Sequence, residues 1–383
     1  MKPLRIGINA LFRGKPTGAA NYIINLVKYL AKIDRYNEYY IFVTDSNRGY
    51  FDLSQHNQHE ILCSVKAERP ILRRAWEQII FPFIVSEQKL DILHCPVNVV
   101  PIFSRCRNVV TFLDCQYFHE SSTNTFLRKL FHNLFMRKTL KKADIIMTIS
   151  NSMKEEILHY LGDNDTTVFV THLGQDYSRT NGRHVDPERI KRDLGITRKY
   201  ILFVGFPQYR KNLTGLLKGF ANACKELHEP YDLIICGDIE TKIESDYPNI
   251  LRTIDELKFR KYIKFTNYLE TDDLQDLITG AEFFAFPSFY EGFGLPVIEA
   301  MACGTPVLVS DIPVMREVAG EAGTYIDPYD VDDISRGICQ LLLDNDLREK
   351  LRIKGKQVAS QFTWENTASR TLKCYHQTVK KDT

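Results

Sequence analysis

The sequence predicts an α/β protein built as two doubly wound halves facing each other across a cleft. Three observations predict it. The chain has 383 residues, too many for one ordinary core, so two domains are the default. Short apolar runs, β-branched or aromatic, alternate with helix-length segments in both halves, and such alternation with long connections implies parallel strands joined by helices. The alternation is interrupted over the polar stretch Gly174 to Pro187, which reads as the linker, and then restarts.

Taken in order, Leu4 to Ala10 is the first strand, followed by a Gly-containing loop and an amphipathic helix from about Asn21 to Ile33. Tyr39 to Thr44, Ile92 to Cys95, Val109 to Leu113 and Ile145 to Ile149 read as further buried strands. After Thr167 to His172 the second half opens with a strand at Tyr200 to Val204 and a helix from Leu213 to Lys225. Strands at Leu233 to Cys236, Ile263 to Phe265, Phe283 to Phe286 and Pro306 to Val309 follow, and a last helix runs from about Thr363 to Val379. No internal repeat or low-complexity segment interrupts this plan.

Composition removes several function classes. Lys and Arg number 50 against 48 Asp and Glu, so no global charge draws the chain to nucleic acid or a membrane. Nine cysteines without a Cys-x-x-Cys pair indicate a reducing compartment rather than a disulfide framework or structural zinc. The opening Met-Lys-Pro-Leu-Arg-Ile-Gly-Ile-Asn reads as a strand, not a signal peptide. The apolar run Ile79 to Val85 is seven residues with a proline inside, too short to span a bilayer. No Gly-x-Gly-x-x-Gly follows a strand, which disfavours a nicotinamide dehydrogenase, and there is no Walker loop. Histidines occur singly, so no metal site is expected. Asp272-Asp273 and Asp332-Asp333 sit where helices start and read as caps rather than metal ligands.

The most informative stretch is Phe286 to Gly304, in which Glu291 and Glu299 stand eight positions apart across a Gly292-Phe293-Gly294 turn. A buried strand ends near Pro287, and a loop carries Glu291 outward. Gly292 and Gly294 let the backbone approach a ligand closely. Pro296 suits a first helical turn, and Gly304 suits the helix C-terminus. Ligands of open α/β sheets bind at such a place, beyond a strand's C-terminal end beside a helix N-terminus. A second strand, Tyr200 to Val204, runs into Gly205, then Arg210-Lys211, then a helix. Adjacent cations and a helix N-terminus can grip a diphosphate without metal. The bland alternative for Arg210-Lys211 is a solvated helix start.

On these motifs the chain resembles the family 4 glycosyltransferases, retaining enzymes of the GT-B fold, whose hallmark is a pair of glutamates separated by seven residues. Supporting segments occur in family order: Gly14 to Tyr22, Asp91 to Pro101, Val109 to Asp114, Ala143 to Ser152 and Ile201 to Leu213. The resemblance is nearest to bacterial mannosyltransferase-like members that build surface polysaccharides. It implies two Rossmann-like domains facing across a cleft, residues 1–175 with the C-terminal helix 363–383 on the acceptor side and 176–362 for the nucleotide sugar. It also implies domain closure that keeps water from the activated sugar.

The resemblance further implies roles. Lys211, helped by Arg210, would hold the donor diphosphate, Glu291 the donor sugar and Glu299 the ribose. Gly205 and Gly18, with the turn from Gly292 through Leu295, would bring backbone close to the donor. Many relatives carry His-Asp where this chain has Leu113-Asp114, so Asp114 would orient an acceptor hydroxyl or cap a loop, without an imidazole beside it. Likewise Phe206 stands where some members carry arginine. His94 reads as a satisfied structural histidine; Ser150 and Ser152 stand at the cleft edge or cap a helix.

The expected activity is transfer of a hexose, mannose from GDP-mannose as first choice, to a saccharide or lipid-linked acceptor. UDP-glucose, UDP-galactose and UDP-N-acetylglucosamine are the alternative donors. A nucleotide-sugar epimerase and a catalytically silent carbohydrate-binding subunit are the competing readings. No cofactor or metal is expected, and nucleic acid is not a partner. The expected location is the cytoplasm or the inner face of the cytoplasmic membrane. Residues 126–142 interleave Arg128, Lys129, Arg137, Lys138, Lys141 and Lys142 with apolar positions at helical spacing. Such a helix can lie on anionic lipid, with Arg69, Arg73, Arg74 and Trp76 extending the same surface, or it can be a core helix with a solvated charged face.

Overall fold

A computed structural model describes residues 2–12, 18–65, 70–115, 136–162, 166–176, 184–227, 229–237 and 247–380. Two compact units divide the chain, Met1–Gly174 with Thr363–Thr383, and Gln175–Phe362.

The first unit holds β1 (Arg5–Asn9), α1 (Gly18–Ile33), β2 (Glu38–Val43), β3 (Gln58–Leu62), α2 (Pro70–Ile79), α3 (Phe81–Glu87), β4 (Ile92–Cys95), β5 (Arg107–Phe112), β6 (Ile145–Thr148), α4 (Asn151–Leu161) and β7 (Thr167–Val170). Its strands form one seven-stranded sheet in the order β3-β2-β1-β4-β5-β6-β7. Every pairing is parallel, as in Ile8 opposite Ile41 on one side and His94 on the other. Central strands are buried on both faces, which is why they read as unbroken apolar runs.

The second unit holds α5 (Pro187–Asp193), β8 (Tyr200–Val204), α6 (Leu213–Glu226), β9 (Asp232–Cys236), α7 (Tyr247–Leu257), β10 (Ile263–Thr266), α8 (Thr271–Thr279), β11 (Phe283–Phe286), α9 (Leu295–Ala302), β12 (Val307–Ser310), α10 (Pro313–Ala319), β13 (Gly323–Ile326), α11 (Val331–Leu343) and α12 (Asn345–Ala359). Its sheet runs β10-β9-β8-β11-β12-β13. Counted from β8, that is the dinucleotide-fold order 3-2-1-4-5-6, whose direction reverses between its first and fourth strands. Phe203, Leu216, Phe220, Ile235, Ile334 and Ile338 lie in one buried cluster. A Cβ on Gly219 would stand 2.6 Å from Ile334 Cγ2, so the glycine sets how closely α6 approaches α11.

The last helix, α13 (Trp364–Lys380), belongs to the first unit and packs along α1. Tyr375 and His94 share a hydrogen bond of 2.7 Å through Nδ1, and Nε2 of His94 meets Thr111 Oγ1 at 2.8 Å. His94 is fully buried and burial pushes its imidazole down to about 3, so it is the satisfied core histidine expected. Among the described residues no helix is long and apolar enough to cross a membrane, and all nine cysteines are free thiols.

Three expectations need correction. Arg73 does not extend a surface patch: its guanidinium donates to Leu11 O at 3.0 Å and lies 3.7 Å from Glu77, because a buried carbonyl and carboxylate are better partners than solvent. Asp332 and Asp333 do not cap α11, since Asp330 accepts from both their amides. Asp273 likewise pairs with Arg189 at 2.5 Å, and Glu270 at the N-cap position of α8 makes no capping bond. Of the basic stretch, 126–135 lies outside the described residues. Residues 136–142 are helical, with Met136 and Leu140 buried and Arg137, Lys138 and Lys141 exposed.

Candidate active site

The site grows from two adjacent strands. β8 and β11 pair directly, Phe283 opposite Ile201, and the sheet reverses order between them, where a crevice must open at the C-terminal ends. β8 delivers Gly205 with φ 151°. A short 3₁₀ turn, Tyr209–Lys211, follows. Asn212 takes a left-handed conformation, φ 52°, and caps α6 by accepting from Gly215 N at 3.2 Å. Its amide donates to Pro328 O at 2.6 Å. Two cations are thereby fixed at the mouth of the crevice.

β11 delivers the opposing carboxylate. Phe289 N donates to Arg210 O at 2.8 Å, which ties the two loops together. Lys211 Nζ sits 2.6 Å from Glu291 Oε1, and Arg210 Nη1 sits 2.8 Å from Glu291 Oε2. Lys211 is 7% exposed and Glu291 9%, so solvent screens that pair little. The Lys211 ammonium also lies 4.2 Å from the centre of the Phe286 ring, a cation–π contact. Burial pushes Lys211 down to about 8 against the upward pull of Glu291. Burial raises Glu291 as well, but Lys211 and Arg210 outweigh it and hold the carboxyl below its usual range. Two cations share one carboxylate, which leaves an excess of one positive charge, open in part to solvent at Arg210.

Next to it stands an uncapped helix. Gly294 begins α9 with φ 102°, and no side chain caps its amides. A Cβ at Gly294 would lie 2.5 Å from Met315 Cε, so this left-handed turn needs glycine for space as well as conformation. Gly304, φ 78°, follows the helix end as expected. Pro296 has no N–H, and Val297 N and Ile298 N turn back to Gly294 O at 2.9 and 3.4 Å, so the helix dipole rather than a row of free amides favours an anion here. Glu299, one turn inside α9, is half-buried, and burial pushes its carboxyl up to about 8. Phe293 turns its ring inward onto Phe362, centroids 5.8 Å apart, so only its backbone can face a ligand. Among the described residues no group of three or more His, Cys, Asp or Glu could hold a metal ion.

In the first unit, Gly18 opens α1, whereas residues 13–17 lie outside the described residues. Asp114 is half-buried two residues beyond β5, and Leu113 N donates to Asn98 Oδ1 at 3.2 Å. Ser150 caps α4, accepting from Met153 N at 3.1 Å. Asn212 and Phe286 were not picked out from sequence. A polar residue ahead of an apolar helix was the available signal for Asn212; nothing in the run Phe283 to Phe286 marks which ring meets the lysine.

Comparison with known proteins follows the same division. Residues 16–179 match the model of Glycosyltransferase Family 4, and residues 186–358 match Glycosyl transferases group 1. O-antigen chain mannosyltransferase B of Escherichia coli is 30% identical over 380 residues, covering 94% of this chain and 96% of that protein. Sucrose-phosphate synthase from Thermosynechococcus elongatus superposes with TM-score 0.77 at 18% identity, over 99% of this chain and 100% of that one. Anabaena HepE, solved with UDP-glucose, gives 0.75 at 17% identity over 98% and 100%. At such identities the structures speak for the fold alone, which is GT-B.

Proposed function

The chain belongs to the family 4 glycosyltransferases, and from that premise we propose that it transfers mannose from GDP-mannose, with retention, to a saccharide or lipid-linked saccharide during surface polysaccharide assembly. The observation that carries the reading is the clamp of Arg210 and Lys211 on Glu291 beside the uncapped start of α9. The named activity of the Escherichia coli relative favours mannose. HepE, named with UDP-glucose, keeps UDP-sugars as the second reading.

In this mechanism the excess positive charge and the start of α9 receive the donor diphosphate, with the backbone at Gly205 and Gly292 close by. Lys211 and Arg210 then stabilise the charge that develops on the leaving diphosphate, which is commonly the largest catalytic contribution. Glu291 exchanges part of its hold on the cations for hydroxyls of the donor sugar, and Glu299 meets the ribose. Asp114 orients the acceptor hydroxyl. That hydroxyl attacks the anomeric carbon on the face the diphosphate leaves, and a phosphate oxygen takes its proton. The step requires no metal.

Product analysis tests the reading. Incubated with GDP-mannose and lipid-linked saccharides, the protein should yield a mannoside whose anomeric configuration by NMR matches the donor. Glu291→Ala should lower turnover by about 10²–10³-fold with unchanged circular dichroism. An inverted product, or full activity in Glu291→Ala, would overturn the mechanism. Work at the cytoplasmic membrane face belongs to the same proposal, supported by exposed Arg137, Lys138 and Lys141. Flotation with anionic vesicles should therefore succeed and weaken in Lys138→Glu with Lys141→Glu; equal flotation of both proteins removes that part.

A further inference from the structure

Beside the clamp, and within the same unit, lies a cavity of about 400 Å³, within the usual size range of ligand sites. One wall is a row of rings. Tyr209 and Phe289 have centroids 5.3 Å apart at 35°, and Phe289 and Tyr329 stack at 4.7 Å and 23°. Tyr209 is 70% exposed and Tyr329 74%. Large rings left in water side by side mark a binding surface more often than a solvated face.

The other wall is polar and comes from one face of α7. Asn249, Arg252 and Glu256 line it at helical spacing. Arg252 donates to Asn249 Oδ1 at 3.3 Å and lies 3.8 Å from Glu256. Amide, guanidinium and carboxylate together offer both donors and acceptors, and Lys218 on α6 adds a further donor and leaves the lining one positive charge in excess. A pyranose ring is complementary to such a pair of walls. Its C–H face suits flat aromatic rings, and its rim of hydroxyls both donates and accepts.

The cavity is joined to the clamp through shared residues. Tyr209 precedes Arg210 and Asn212 follows Lys211 in its lining. Phe289 donates its amide to the carbonyl of Arg210. Asn212, Phe289 and Tyr329 follow β8, β11 and β13, so the cavity opens at the same C-terminal edge of the sheet as the clamp.

We propose that the cavity between the Tyr209–Phe289–Tyr329 row and α7 is a saccharide subsite, which grips acceptor glycan back from its reacting end and gives longer acceptors an advantage. The proposal rests on the transferase reading and adds to it where the acceptor is held.

The test uses full-length protein, Tyr329→Ala and Arg252→Ala, both at exposed positions where the fold tolerates truncation. Linear oligosaccharides of mannose, glucose, galactose and N-acetylglucosamine are titrated by saturation-transfer NMR and calorimetry, and GDP and UDP in parallel. One series should bind wild type with affinity rising with length. Tyr329→Ala should weaken it about tenfold and Arg252→Ala several-fold, while nucleotide affinity stays unchanged. In transfer assays Tyr329→Ala should raise KM for long acceptors alone and leave kcat intact. Nucleotide binding without any oligosaccharide binding overturns the subsite and spares the transferase reading. Equal oligosaccharide binding by wild type and both variants, or a parallel loss of nucleotide and saccharide, overturns it too. A wild type that binds no nucleotide sinks the transferase reading, and this subsite with it.

Discussion

Glu291 holds two cations that a diphosphate would also seek, so the chain's own residues assemble the site electrostatically. That assembly offsets part of the cost of burying Lys211, and it keeps the ammonium aimed. Glu299 differs: it is also sheltered, but burial alone acts on it and lifts its carboxyl from the ordinary 4.5 to about 8. Between those two pH values the folded chain binds more protons at this group than the unfolded chain does. Stability must therefore fall as pH rises through that window. Glu299→Gln should melt like wild type below the window and above it in temperature once the pH passes 8. A difference independent of pH in differential scanning calorimetry would contradict this account. None of this pairing is legible in sequence. Lys211 and Glu291 are 80 residues apart, and their contact exists because β8 and β11 lie side by side in the sheet. For the same reason Arg73 looked like a surface cation until the carbonyl of Leu11 supplied a partner.

At the scale of elements, the readable pieces were those under the strongest local constraint. β11, the glycine turn and α9 combine an apolar run buried on both faces with Gly and Pro in positions only they fill well, and sequence marks each boundary. β3 and β13 escaped notice because edge strands are half solvated: Gln58–Leu62 and Gly323–Ile326 mix polar and apolar residues without a continuous run. Helix docking can hang on one residue that carries no pattern at all. A Cβ on Gly174 would stand inside van der Waals distance of the Thr363 and Trp364 backbone, where α13 begins. Backbone cannot rotate away as a side chain can. Gly174→Ala should therefore cost about 1–3 kcal/mol, lowering the melting temperature by several degrees, whereas Gly49→Ala, with open space around it, should leave it unchanged. Equal melting of the two variants would show that α13 does not depend on this close approach.

On the scale of the whole molecule, two sheets of the same winding make up one chain, and the last helix returns to the first unit. Alternation of apolar runs with helical segments made that architecture readable, since parallel sheets demand it. Donor identity was not readable, because periodicity does not encode the conformation of the loops that follow the strands. The central claim is that the Arg210, Lys211 and Glu291 clamp is a nucleotide-diphosphate site. Thermal denaturation of wild type and Lys211→Ala with GDP, UDP, ADP and their sugars, without added metal, tests it most directly. A ligand that binds only the native state must raise the melting temperature. The account predicts stabilisation of wild type by GDP and GDP-mannose that is lost in Lys211→Ala. Stabilisation by UDP species instead would replace the donor and keep the site, while no shift with any nucleotide would contradict the claim.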